Sequence, residues 1–134
     1  MPIQLEIVTP EKRAYDETVD SVVIPGIQGE LGALAGHEPL MTLIQPGELR
    51  VLKEGKTEHL AVGEGFAEVT LSKVSVLTDM ALNEDDIDET QVEEALKRAQ
   101  DALAEKEDGS EEASLLMATI QKSMAQLQVK RRRR

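Results

Sequence analysis

The sequence predicts an all-β N-terminal domain, a sandwich or barrel, followed by an antiparallel pair of α-helices. All five prolines lie at or before Pro46 and eight of the nine glycines at or before Gly65, whereas Ala, Glu, Gln and Lys dominate after about residue 84. Turn-forming residues therefore concentrate in the first part of the chain and helix formers in the second. We place a β domain at residues 1–84 and a helical domain at residues 85–134.

The first strand is predicted at residues 3–8, where apolar and polar residues alternate as on a half-buried strand. Similar short segments follow, separated by turn signals such as Pro-Gly and Gly-Glu-Gly. Many short strands at this spacing indicate a sandwich or a barrel. The further strands are predicted at residues 14–24, 31–35, 40–44, 48–53, 57–62, 65–71 and 74–79.

From Asp85 onward, apolar residues recur at three- and four-residue steps, which predicts helices. Asp88 and Gln91 resemble a capping box at the start of the first helix, and Asp-Gly-Ser at residues 108–110 is predicted to end that helix and cap the second. We expect two apolar stripes to face each other in a weakly paired, mobile hairpin that needs another surface to dock on. These stripes are Val92, Ala95, Leu96, Ala99, Ala102 and Leu103, and Ala113, Leu116, Met117, Ile120, Met124 and Leu127.

Composition excludes several classes of function. The net charge of −11 disfavours binding to nucleic acid phosphates and to anionic lipid. Because the chain has no cysteine, disulfides, thiolate metal sites and cysteine nucleophiles are excluded. We find neither a signal-peptide pattern nor an apolar run near the roughly 18 residues that a spanning helix needs, so we expect a cytoplasmic protein. With one Tyr, one Phe and no Trp, partner contacts are expected to use aliphatic packing and charge.

The two histidines are the obvious candidates for metal or acid–base chemistry, since His37 and His59 each stand beside a glutamate. Two histidines without a third clustered ligand, however, are typical of surface or turn positions. The sequence contains no GxSxG, HExxH, Walker A or GxGxxG motif. We therefore predict a non-catalytic protein without a metal site. A small His/Glu metal hydrolase is an alternative that requires His37 and His59 to converge in space.

Two charged segments frame the helical domain. The acidic run at residues 83–89 lacks the ligand spacing and central glycine of an EF-hand loop, so we interpret it as a linker with carboxylates at a helix N-terminus. The chain closes on the cations Lys130, Arg131, Arg132, Arg133 and Arg134. They complement the dipole of the last helix, and they also suit an acidic partner surface.

Several motifs in one order resemble the epsilon subunit of bacterial F-type ATP synthase. The most specific are Gly-Glu-Leu-Gly at residues 29–32 and Gly-His-Glu-Pro-Leu at residues 36–40. The resemblance covers nearly the whole chain and implies a flattened β-sandwich of about ten strands with a C-terminal helical hairpin. It also implies a non-catalytic central-stalk subunit at the cytoplasmic face of the bacterial inner membrane, which couples proton-driven c-ring rotation to ATP synthesis. The resemblance continues through residues 16–26, 46–51, 63–69 and 74–79.

The same resemblance implies partners and contact residues. It places Glu30, His37, Glu38 and Pro39 at contacts with the gamma subunit and the c-ring. It also implies a hairpin that is compact against the sandwich in one state and, in the other, extends along gamma into the alpha/beta catalytic hexamer, where it blocks ATP hydrolysis. The cations at residues 130–134 are expected to favour the extended, inhibitory state. In the compact state the hairpin is docked on an acidic domain, which also attracts these cations in part.

Some members of this family bind ATP on the compact hairpin through an I/L-D-x-x-R-A motif. Here Ile87 and Asp88 match and Arg98 occupies a later arginine position, but Gln91 and Val92 replace arginine and alanine. The second helix also lacks arginine until its end. Each missing cation removes charged hydrogen bonds worth about 1.5–3 kcal/mol, so we predict weak or no ATP binding and no cofactor.

The residues leave one further alternative open, a stand-alone β-sandwich interaction module with a helical dimerisation tail. The two possibilities differ in assembly. A stalk subunit forms a one-to-one complex with a long coiled-coil gamma partner, whereas the interaction module forms a homodimer.

Overall fold

The structure, a computed structural model, describes residues 2–132 as a β domain followed by two helices. Ten strands precede a 3-10 turn at Glu84–Asp86, helix α1 at Glu89–Leu103 and helix α2 at Glu111–Arg131. This confirms the predicted fold class. The strands are β1 (Ile3–Val8), β2 (Arg13–Val19), β3 (Ser21–Gly26), β4 (Gly29–Ala33), β5 (Leu40–Ile44), β6 (Gly47–Lys53), β7 (Lys56–Val62), β8 (Gly65–Val69), β9 (Lys73–Thr78) and β10 (Ala81–Asn83).

The strands form one hydrogen-bonded sheet in the order β10-β7-β6-β3-β5-β8-β9-β1-β2, with β4 paired to β3 beside this path. Neighbours are antiparallel except for β1 and β9, which are parallel. Side chains from both ends of this order meet in one main core, so the sheet folds over on itself as a sandwich. Leu5, Ile24, Leu49, Val69 and Val76 are fully buried there.

The segment predicted as one strand at residues 14–24 is two strands that change partner at Asp20. Asp20 N–H donates to the Leu52 carbonyl at 2.8 Å, and its carboxylate accepts from the Glu54 N–H at 3.1 Å. This junction lets β2 pair with β1 while β3 pairs with β6. The alternation of apolar residues runs across the junction because periodicity does not record where a strand changes neighbours. The short strand β10 at Ala81–Asn83 has no counterpart among the predicted strands.

Both helices begin where the sequence predicts. The Asp88 carboxylate accepts from the Gln91 N–H at 3.2 Å, and the Ser110 hydroxyl accepts from the Ala113 N–H at 3.0 Å. The predicted end of α1 at residues 108–110 is wrong, because α1 ends at Leu103. Beyond Leu103 the chain is exposed and acidic, so further turns would bury no apolar surface and would place carboxylates at the negative end of the helix dipole.

The single apolar stripe predicted on α2 is only partly correct. Met117 and Met124 are more than half exposed, whereas Ala125 and Val129 are buried. At about 100° per residue, Ala125 and Val129 lie nearly opposite the buried Leu127. Helix α2 packs on α1 with one side and on strands β6 and β7 with the other, so it buries two faces.

Candidate functional site

The hairpin docks on the sheet through a small apolar cluster separate from the main core. Its buried members come from β7, the linker and both helices, and Met80, Leu82 and Leu96 pack half-buried at its edge. Because several of these side chains are small, their burial gives the hairpin only modest hydrophobic stabilisation. The buried members, which we call the docking cluster, are Ala61, Ile87, Val92, Ala125, Leu127 and Val129.

A charged network adjoins this cluster and is centred on Glu48. Glu48 lies on β6 and is the one buried charged residue within residues 2–132, with its side chain 2% exposed. The Arg132 guanidinium contacts both carboxylate oxygens, with Nε 2.9 Å from Oε2 and Nη2 on Oε1. His59 Nδ1 lies 3.2 Å from Oε2, and Arg50 Nη1 lies 3.6 Å from Oε1.

Strand register positions the sheet side of this network. Glu48 and Arg50 are two residues apart on β6 and therefore share a face, and Arg50 is the direct cross-strand partner of His59 on β7. Arg50 also reaches the Glu30 carboxylate, with Nη1 2.7 Å from Oε2. That hydrogen bond holds the pKa of the Glu30 carboxyl below its usual value. Glu30, Arg50, Glu48 and Arg132 thus form a chain of ion pairs from β4 to the end of α2.

The cationic tail is engaged with the rest of the protein as far as the structure describes it. Arg131 pairs with Glu89 and Glu93 of α1, at 2.8 and 2.5 Å. Lys130 Nζ donates to the Glu84 carbonyl at 3.2 Å. The predicted tail residues Arg133 and Arg134 lie outside the described residues.

The predicted c-ring contacts fall in two separate places. Glu30 is the second residue of β4 and binds Arg50, whereas His37, Glu38 and Pro39 lie in the loop beyond the other end of that strand. Glu38 and Pro39 are exposed, and His37 Nδ1 lies 2.7 Å from the Glu38 carbonyl oxygen. The loop is a separate surface from the Glu48 network.

The two histidines do not converge, since His37 lies in this loop and His59 lies against Glu48. In the part of the chain that the structure describes, no group of three or more His, Asp or Glu side chains could hold a metal ion. The metal hydrolase alternative therefore has no geometric support.

The residues of the degenerate ATP motif have structural roles or face solvent. Ile87 is buried in the docking cluster, Asp88 caps α1, and the side chains of Gln91 and Arg98 are exposed. An open cleft of about 580 Å³ lies beside the hairpin. Arg131 is the only cation among the described residues that line it, and Arg131 is already paired with two carboxylates.

A row of exposed apolar side chains crosses another part of the sheet. Leu43, Phe66 and Leu77 are direct neighbours in register on β5, β8 and β9, and they are 59%, 37% and 42% exposed. Ile27 extends the row, since its N–H donates to the Leu43 carbonyl at 2.9 Å. Two open grooves of about 740 and 360 Å³ adjoin Phe66. The sequence does not reveal this row, because alternation of exposed and buried residues is common to most strands. We call Leu43, Phe66 and Leu77 the apolar row.

Family models match both parts of the chain. The model described as "ATP synthase, Delta/Epsilon chain, beta-sandwich domain" matches residues 2–84. The model described as "ATP synthase, Delta/Epsilon chain, long alpha-helix domain" matches residues 85–131.

Individual proteins are similar over comparable lengths. The ATP synthase epsilon chain of Herpetosiphon aurantiacus is 40% identical over 134 residues, which covers 100% of this chain and 98% of the relative. That of Carboxydothermus hydrogenoformans is 47% identical over 102 residues, 76% of each chain. A chain of the Euglena gracilis mitochondrial ATP synthase (OSCP/F1/c-ring) superposes with a TM-score of 0.80 at 25% identity, covering 92% of this chain and 78% of that chain. A chain of the Tetrahymena thermophila ATP synthase central stalk/c-ring, at 12% identity, TM-score 0.57 and coverage of 95% and 93%, is similar in fold alone.

Proposed function

This chain belongs to the delta/epsilon chain family of ATP synthase, and from that membership we propose how it works in the rotor. It is a non-catalytic epsilon chain that binds the gamma subunit and the c-ring and helps couple proton-driven rotation to ATP synthesis. It is a peripheral subunit at the cytoplasmic face of the bacterial inner membrane. No helix within residues 2–132 is long and apolar enough to cross a membrane. Family matches over both domains argue against a stand-alone interaction module.

The apolar row is the observation that carries the proposed binding to gamma. Contiguous exposed apolar side chains on a sheet face are typical of an interaction surface. Phe66 stands in the middle of the row with grooves beside it, as expected for the anchor of an interface. A helix of the gamma coiled coil would lay an apolar face along these grooves. Binding of the full chain to purified gamma, with and without a charge at Phe66, tests this proposal.

The loop at residues 36–39 is proposed to contact the c-ring. Glu38 and Pro39 are exposed, and the nearby Leu34 and Leu71 are each about 60% exposed. The Gly36 N–H donates to the Leu71 carbonyl at 2.8 Å, which fixes this loop to the β8–β9 turn. The loop therefore offers a defined surface of both apolar and charged groups to the polar loops of the ring.

The hairpin is proposed to inhibit ATP hydrolysis when it leaves the sheet and extends along gamma into the alpha/beta hexamer. The structure describes the compact arrangement, in which Leu115, Met117 and Met124 of α2 are more than half exposed. An extended helix would bury such side chains against partner helices. Two dockings of one hairpin form a bistable element, and a partner that binds one arrangement better shifts the populations.

A further inference from the structure

We propose that Arg132 and Glu48 form a charge latch that holds the hairpin in its compact arrangement. The latch joins the end of α2 to strand β6 across 84 residues of sequence. Its existence follows from contacts within this chain alone. Its effect on ATP hydrolysis rests on the proposed inhibitory role of the hairpin.

The geometry of the contact is that of a specific pair. The planar guanidinium of Arg132 presents Nε and Nη2 to the two oxygens of Glu48, the bidentate arrangement that makes arginine–carboxylate pairs strong. Glu48 is 2% exposed and Arg132 is 43% exposed, so the carboxylate is buried while the cation reaches it from solvent. A buried carboxylate is stable only when cations and hydrogen-bond donors compensate its charge.

The other neighbours of Glu48 compensate it less well. Arg50 lies 3.6 Å away and is hydrogen-bonded to Glu30 at 2.7 Å, and His59 carries a charge only when it is protonated. A docked hairpin that lacks Arg132 therefore covers Glu48 without its bidentate cation. When the hairpin leaves, water reaches the carboxylate and relieves this penalty. Loss of Arg132 thus weakens docking by leaving this carboxylate uncompensated, and loss of Glu48 weakens docking by removing the bidentate pair.

Arg131 forms ion pairs with a different element from Arg132. Arg131 pairs with Glu89 and Glu93 and so fastens α2 to α1, whereas Arg132 fastens α2 to the sheet. Consecutive helical residues point about 100° apart, which sends the two guanidinium groups to different elements. Of the two, only the pair of Arg132 and Glu48 opens when the hairpin undocks as a unit.

The latch predicts that Arg132 favours the compact arrangement of the hairpin. This is the opposite of the effect expected if the cationic tail favours the extended arrangement. If the cations chiefly stabilise the extended state, removing them releases inhibition. If Arg132 chiefly stabilises the compact state, removing it increases the extended population. The sign of the effect of an Arg132 variant therefore separates the two ideas.

Amide hydrogen exchange of the full chain tests the latch, since exchange reports local opening. Residues 123–129 of α2 are followed by mass spectrometry in Arg132→Gln, Glu48→Gln and the double variant. We expect about tenfold faster exchange in each single variant, and no further increase in the double variant, because both changes remove one interaction. Lys106→Gln is the matched control, since Lys106 pairs with Glu112 inside the hairpin, and it should exchange at the wild-type rate.

Unchanged exchange in Arg132→Gln, or a double variant whose effect is the product of the two single effects, overturns the latch. Amides of β1 report whether the sheet stays folded. If Glu48→Gln loosens β1, the test is decided by Arg132→Gln and Arg132→Lys. Lysine keeps the charge but loses the bidentate fork, so we expect an intermediate rate. A rate for lysine equal to that for glutamine would contradict a role for charge.

A second measurement separates the latch from the proposed inhibition. ATP hydrolysis by the reconstituted complex should fall in Arg132→Gln, because more hairpins extend. Faster exchange with unchanged hydrolysis would support the latch and contradict inhibition by the hairpin. Raised hydrolysis without faster exchange would overturn the latch.

Discussion

Lys122 Nζ on α2 lies 2.6 Å from Asp79 Oδ2 in the turn between β9 and β10. Asp79 also lines both grooves beside Phe66, and Gln121 lines the larger one. The docked hairpin therefore borders the apolar row proposed to bind gamma. A subunit seated in the larger groove would contact both the sheet and the docked hairpin. Binding of that subunit therefore depends on where the hairpin lies.

The pair of Lys122 and Asp79 should contribute little to stability despite its short distance. Both side chains are about a third or more exposed, so solvent screens their attraction. We expect Lys122→Gln to lower the free energy of unfolding by at most about 1 kcal/mol, measured by denaturant titration. A loss well above that value would mean that α2 docks mainly through this pair.

Gly65 should tolerate no larger residue. A β-carbon there would lie 1.8 Å from the Leu77 carbonyl oxygen, which is backbone and cannot move aside without breaking the β8–β9 pairing. We expect Gly65→Ala to lower the free energy of unfolding by about 3 kcal/mol. Gly32→Ala is the control, because nothing lies within 4 Å of its added carbon, and it should change stability by less than about 1 kcal/mol. Equal effects of the two changes would refute the steric argument.

The β domain should fold without the hairpin. Within the described residues the main core ends at Ala81, and the docking cluster is separate from it. We expect residues 1–84 to keep a cooperative unfolding transition and to bind gamma. Circular dichroism and a gamma pull-down check this, and a molten fragment would show that the hairpin completes the core.

ATP at millimolar concentration should leave the melting temperature almost unchanged, because ligand stabilisation grows only as RT ln(1 + [L]/Kd) and the cleft cation Arg131 is already paired. Gln91→Arg restores the missing cation at an exposed position and should produce a larger shift. A saturable rise for the unaltered chain at micromolar ATP would contradict weak binding. Scanning calorimetry provides the measurement.

The sequence predicted the fold well because local patterns carry it, and it missed what depends on distant contacts. Glu48 and Arg50 alternate with the buried Leu49 and Val51, so the pattern marks the face of Glu48 as exposed to solvent. The hairpin covers that face, and no residue near Glu48 in the sequence indicates its pairing with Arg132, 84 residues away. The second buried face of α2 could not be predicted for the same reason. A single apolar stripe indicates packing against one neighbour, whereas α2 packs against both α1 and the sheet.

The most direct test of the proposed function is the affinity of the full chain for the gamma subunit after a charge is placed on the apolar row. Phe66→Glu should weaken binding at least about thirtyfold in a titration, as expected for the anchor of an interface. Leu34→Glu alters a more exposed leucine, 60% against 37% for Phe66, beside the loop proposed to face the c-ring, and it should leave gamma binding unchanged. Wild-type affinity for Phe66→Glu, with the sheet shown to be folded, would contradict docking of this subunit on gamma through the apolar row.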